Sequence, residues 1–134
     1  MAKVPSVDIS TLPKLAASEL RLLWVNDWYD GPLEAVVEHD GARCLMVLDG
    51  TIDVENAMRW LLFHLTAEQW VEEEKWHALF EEHVGHHWCF DHEERPEPET
   101  PRDPERFYGP YRSRAPLDLS SARPFAWVDE MPAR

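Results

Sequence analysis

Six side chains that could ligate a metal fall within ten positions: His83, His86, His87, Cys89, Asp91 and His92. Imidazole, thiolate and carboxylate are all zinc donors, and a zinc ion held this way could activate water for hydrolysis. The spacing argues otherwise. Structural zinc sites draw paired ligands, Cys-x₂-Cys or His-x₃₋₅-His, from two separated segments, and here there is one cluster with no second cysteine pair. His83 and His87 have helical spacing, but Gly85 lies between them, and the Glu that follows the first His of a metalloprotease helix is missing. His83, His86, His87, Cys89 and His92 therefore stand as low-ranked metal candidates, and the reading calls for no cofactor.

A second arrangement places Glu73 four residues before His77. At about 100° per residue both fall on the stripe that carries Trp76, Phe80 and Val84, with Trp70 close by. A carboxylate beside an imidazole could tune it into a general base. The same pair could equally satisfy itself or a backbone group inside a core. No nucleophile stands near them in the sequence, so the structural role ranks first and Glu73 and His77 are secondary catalytic candidates.

A third group is aromatic. Trp28, Tyr29 and Asp30 precede Gly31-Pro32, and Phe107-Tyr-Gly-Pro-Tyr111 repeats the theme near the other end. Large rings among Asp, Gly and Pro are the residue types of binding hot spots, so Trp28, Tyr29, Asp30, Tyr108 and Tyr111 form the expected binding surface. The alternative is that the rings fold back over an open sheet. Absent from the chain are a Gly-rich phosphate loop, a Walker motif and a Gly-x-Ser-x-Gly elbow. Cys44 sits in the middle of a β-rich run, where a thiol serves as a small core group.

The elements that must position these residues can be read from punctuation and periodicity. Residues 1–18 form an N-terminal arm interrupted by Pro5 and Pro13, and residues 19–134 a single domain. Leu20 to Val25 reads as a strand, followed by a turn from Asn26 to Pro32. Leu33 to Glu38 and Arg43 to Leu48 flank Asp40-Gly41, the signature of a two-residue hairpin. Thr51 to Ala57 is a polar connection, and Met58 to Leu65 a further strand. Thr66 and Gln69 make a capping box that opens a helix from about Ala67 to Val84, which Gly85 ends. The acidic, proline-rich stretch 93–106 reads as an extended surface loop, Phe107 to Tyr111 as an aromatic turn, and Pro124 to Val128 as an edge strand. The predicted fold is α+β: an antiparallel sheet of about four or five strands with one main helix packed on one face.

Charge narrows the function. The chain's 134 residues carry 26 acidic and 13 basic side chains, a formal net of −13. Proteins that bind phosphate backbones or anionic membranes do so through Lys and Arg, so both partners are disfavoured. No signal peptide and no apolar run of membrane-spanning length is visible, which points to the cytoplasm and to reduced thiols. The leading expectation is a non-enzymatic protein that recognises another, basic protein, by analogy with toxin-neutralising immunity proteins and phage-type inhibitors. The alternatives are a DNA-mimic inhibitor, whose carboxylates imitate duplex phosphates, and a small metal-assisted hydrolase or acid–base enzyme built on the histidines.

Overall fold

A computed structural model describes residues 2–28, 32–49, 58–87 and 102–134. Its five strands are β1 (Arg21–Trp28), β2 (Pro32–His39), β3 (Ala42–Leu48), β4 (Trp60–Phe63) and β5 (Ala126–Val128). They form one antiparallel sheet in the order β1-β2-β3-β4-β5. The described elements also include two α-helices, α1 (Ala67–His83) and α2 (Glu105–Arg112), and two single helical turns in the N-terminal arm. The class is α+β, as the sequence predicts.

The hairpin follows from two residues. Asp40 and Gly41 both have positive φ, 49° and 77°. Positive φ at both central positions is what a two-residue turn needs if its twist is to match its strands. That turn sets His39 opposite Ala42 and runs the register back to Glu34 opposite Val47. The inner strands are apolar without alternation, and Ala35, Val36, Val37, Cys44, Leu45, Met46, Val47, Leu61 and Leu62 are all fully buried. Met58 to Leu65 contributes a strand of only four residues, Trp60–Phe63, and all of them are buried.

β1 runs further than its apolar core suggests. It continues through Asn26 and Asp27 to Trp28, with irregular register between Leu22 and Trp24, Val25 and Asp27, and Asp27 and Trp28. These bulges let polar residues stay in the strand while the chain twists. Trp28 is thus the half-buried last residue of a strand, opposite Pro32, and not a ring on a turn. Tyr29, Asp30 and the connection 51–57 lie outside the described residues.

The N-terminal arm is tied to the sheet. Lys3 N–H donates to Leu117 O at 2.8 Å and Lys3 O accepts from Leu119 N–H at 2.8 Å. Further on, Lys14 pairs with Trp127 of β5. A single helical turn at Ile9–Thr11, capped by the Asp8 side chain, lies between these contacts, and a second at Ala17–Glu19 follows them.

The chain divides into two compact units: Met1–Leu65 with Pro116–Arg134, and Thr66–Ala115. The first holds the sheet and the second both helices. In the second, Thr66 Oγ1 accepts from Gln69 N–H at 3.2 Å and Gln69 Oε1 from Thr66 N–H at 2.9 Å. This is the reciprocal cap that the sequence predicts. Gly85 follows α1 with φ 92°. The predicted aromatic turn is instead α2, and Glu105 and Arg106, assigned by the sequence to the acidic loop 93–106, are its first residues. Residues 93–101 of that loop lie outside the described residues. Burial explains the helix: Phe107 packs with Trp76 and Phe80 in one apolar cluster. A tertiary contact of this kind outweighs the local effect of Gly109 and Pro110.

Candidate binding surface

α1 has two contrasting sides, set by its sequence. Glu73, Trp76 and Phe80 are buried. Phe107 stands edge-on to both rings, with centroids 6.2 Å from Trp76 and 5.3 Å from Phe80, and Tyr111 is edge-on to Trp76 at 5.5 Å. Edge-on contact of this kind sets the positive rim of one ring against the negative face of the next. The opposite side shows Glu68, Val71, Glu72, Lys75, Ala78 and Glu82 to solvent, at the three- and four-residue spacings that line up on one helix face. Val71 is 67% exposed, an apolar side chain among carboxylates. Glu72 accepts from the Trp76 indole N–H at 2.8 Å, and Lys75 lies 4.0 Å from the same carboxylate and over the Trp76 ring.

Beneath this face lies the pair that fixes it. Glu73 is 1% exposed and its carboxylate accepts from Arg114, whose guanidinium also lies over the rings of Trp76 and Tyr111 at 5.7 and 5.8 Å. A buried carboxylate needs such a partner, because an unpaired charge in an apolar site is costly. The catalytic candidate Glu73 is therefore committed to a structural ion pair. His77 is half-buried on α1.

His83 sits 3.8 Å from Glu82, and His87 stacks on Phe80 with centroids 4.6 Å apart. His86 is half-buried, and Cys89 and His92 lie outside the described residues. Among the described residues, no three His, Cys, Asp or Glu side chains gather closely enough to hold a metal ion. Tyr108 and Tyr111 are half-buried beside Phe107, so they form part of the small core of the helical unit.

Sequence reasoning missed several polar groups. Glu34, 3% exposed in β2, accepts from Ala2 N–H at 2.8 Å and from the Asn26 amide at 2.7 Å, while Asn26 accepts from the Trp24 indole at 3.0 Å. Asp49, fully buried, accepts from Arg59 Nε at 2.8 Å, and its N–H donates to Arg59 O at 2.9 Å. These groups come together from separate stretches of the chain, so local pattern carries no trace of them. Cys44 is fully buried, 3.9 Å from His64 Nδ1, and burial pushes its thiol up to about 11. That is the opposite of the shift a nucleophilic cysteine needs.

No helix among the described residues is long and apolar enough to cross a membrane. Comparison with protein-family models, curated proteins and solved structures finds no match for this chain.

Proposed function

We propose that this protein is a small acidic binding protein of the cytoplasm that docks a basic partner protein and performs no catalysis. The observation that supports the reading most is the outward side of α1, where Glu68 and Glu72 flank the 67%-exposed Val71 and Glu82 lies about three turns further along, on a helix whose inner side is fixed. A rigid face of this kind loses little conformational freedom on binding. Its carboxylates would steer a cationic surface into contact, and Val71 would supply apolar area that water leaves. The chain's net charge of −13 extends that steering beyond the helix.

Reversing Glu68, Glu72 and Glu82 together to Lys tests the reading against the partner purified from the source organism. Steered association predicts an on-rate at least about tenfold lower for the triple variant and a flatter dependence on salt. Unchanged association, or a partner whose contacting surface is acidic, would contradict it.

A further inference from the structure

The outer edge of β5 is occupied by the protein's own chain. β5 pairs with β4 on one side, and on the other Trp127 N–H donates to Pro13 O at 3.1 Å while Trp127 O accepts from Leu15 N–H at 2.9 Å. Between those two hydrogen bonds Lys14 reaches Asp129 at 2.7 Å and lies over the Trp127 ring, 5.2 Å from its centroid. Backbone pairing, a carboxylate and an indole face thus define a small receptor for one extended residue with a cationic side chain.

The strap that fills this receptor is lightly held. Its contact with β5 is an isolated parallel bridge at one residue. The ion pair is half open to water, 51% of the Lys14 side chain and 41% of that of Asp129 being exposed. Pairs in that setting are weak. Firm attachments lie elsewhere on the arm: Lys3 is bonded to both Leu117 and Leu119, and buried Leu20 leads into β1. The turns at Ile9–Thr11 and Ala17–Glu19 lie on either side of Pro13–Leu15, so this stretch can lift without disturbing a strand.

We propose that the β5 edge is a docking site for an extended, lysine- or arginine-bearing segment of a partner protein, and that Pro13-Lys14-Leu15 occupies it as an internal mimic. The incoming segment adds to the edge as a short strand, its cation taking the place of Lys14 between Asp129 and Trp127. The site is independent of the acidic face of α1, and either can fail without the other.

The probe is a synthetic peptide with the chain's own strap sequence, Thr11 to Ala17, added to the full-length protein. Lys14→Glu places a negative charge against Asp129, so the Trp127 amide should exchange at least about tenfold faster. The peptide should then bind this variant at least about tenfold more tightly than it binds the unaltered protein, since competition from the strap is removed. Adding Asp129→Lys to the variant re-forms the pair with its charges exchanged, so Trp127 protection should return and peptide binding should fall back at least about tenfold, and Lys14→Arg alone should leave amide protection unchanged. An unchanged Trp127 exchange rate in Lys14→Glu would overturn the proposal. Equal peptide binding to both proteins, or no binding to the opened edge, would mark the strap as a static cover and overturn it too. Circular dichroism confirms that each variant keeps its sheet.

Discussion

Arg114 carries more of the helical unit than its place near a chain junction suggests. It neutralises Glu73, which is 1% exposed, and lies over the rings of Trp76 and Tyr111. Arg114→Ala takes the cation away from a buried carboxylate, and the expected loss is about 3 kcal/mol in urea unfolding. Glu73→Gln with Arg114→Met should recover most of it, because no buried charge then remains at the site. A single-variant loss below about 1 kcal/mol would show the pair to be incidental. Cys44 gives a second expectation. Its thiol is raised by burial from 9.0 to about 11, so above pH 9.0 the native state holds a proton that the unfolded chain releases. The stability from this group is fully present below pH 9.0 and is lost as pH rises towards about 11. Alkylation mapped by mass spectrometry should leave Cys44 unmodified in the folded protein at pH 8 and label it quickly in urea. At this scale the sequence was only half legible. It placed Glu73 in an apolar stripe, but its partner lies 41 positions away, and periodicity over one helix offers His77 instead.

The elements whose causes are local were readable, and the one with a tertiary cause was not. Asp40-Gly41 specifies its hairpin, and Thr66 with Gln69 specifies the start of α1, because the responsible atoms lie within a few residues. α2 carries Gly109 and Pro110, which read as a turn; what makes it helical is Phe107 packing on Trp76 and Phe80. The end of α1 offers a paired test. Gly85 has φ 92°, and a Cβ there would collide with the guanidinium of Arg102, which donates to Glu81 O at 2.8 Å over the end of the helix. Gly85→Ala should therefore cost more than about 1 kcal/mol. A Cβ at Gly109 meets nothing within 4 Å. Since Gly109 lies in a helix, Gly109→Ala should stabilise by about 0.5–1 kcal/mol. Urea midpoints that move the same way for both would refute the account of these two positions.

Across the whole molecule, the antiparallel sheet was legible because its hairpin is specified by adjacent residues, whereas the stitching of residues 2–15 was not. Those contacts run through backbone atoms of Lys3, Pro13 and Leu15, which leave no residue-type signature. The charge was legible from composition alone, and with 26 acids against 13 bases it bears most directly on association. The most direct measurement is carboxylate–lysine cross-linking of the untagged protein in an extract of its source organism, with the joined residues mapped by mass spectrometry. Steered docking through α1 predicts links from Glu68, Glu72 or Glu82 to lysines of one basic protein, lost in about 1 M salt where the screening length falls to about 3 Å. Links that survive such salt unchanged, or that join other surfaces to an acidic protein, would contradict it.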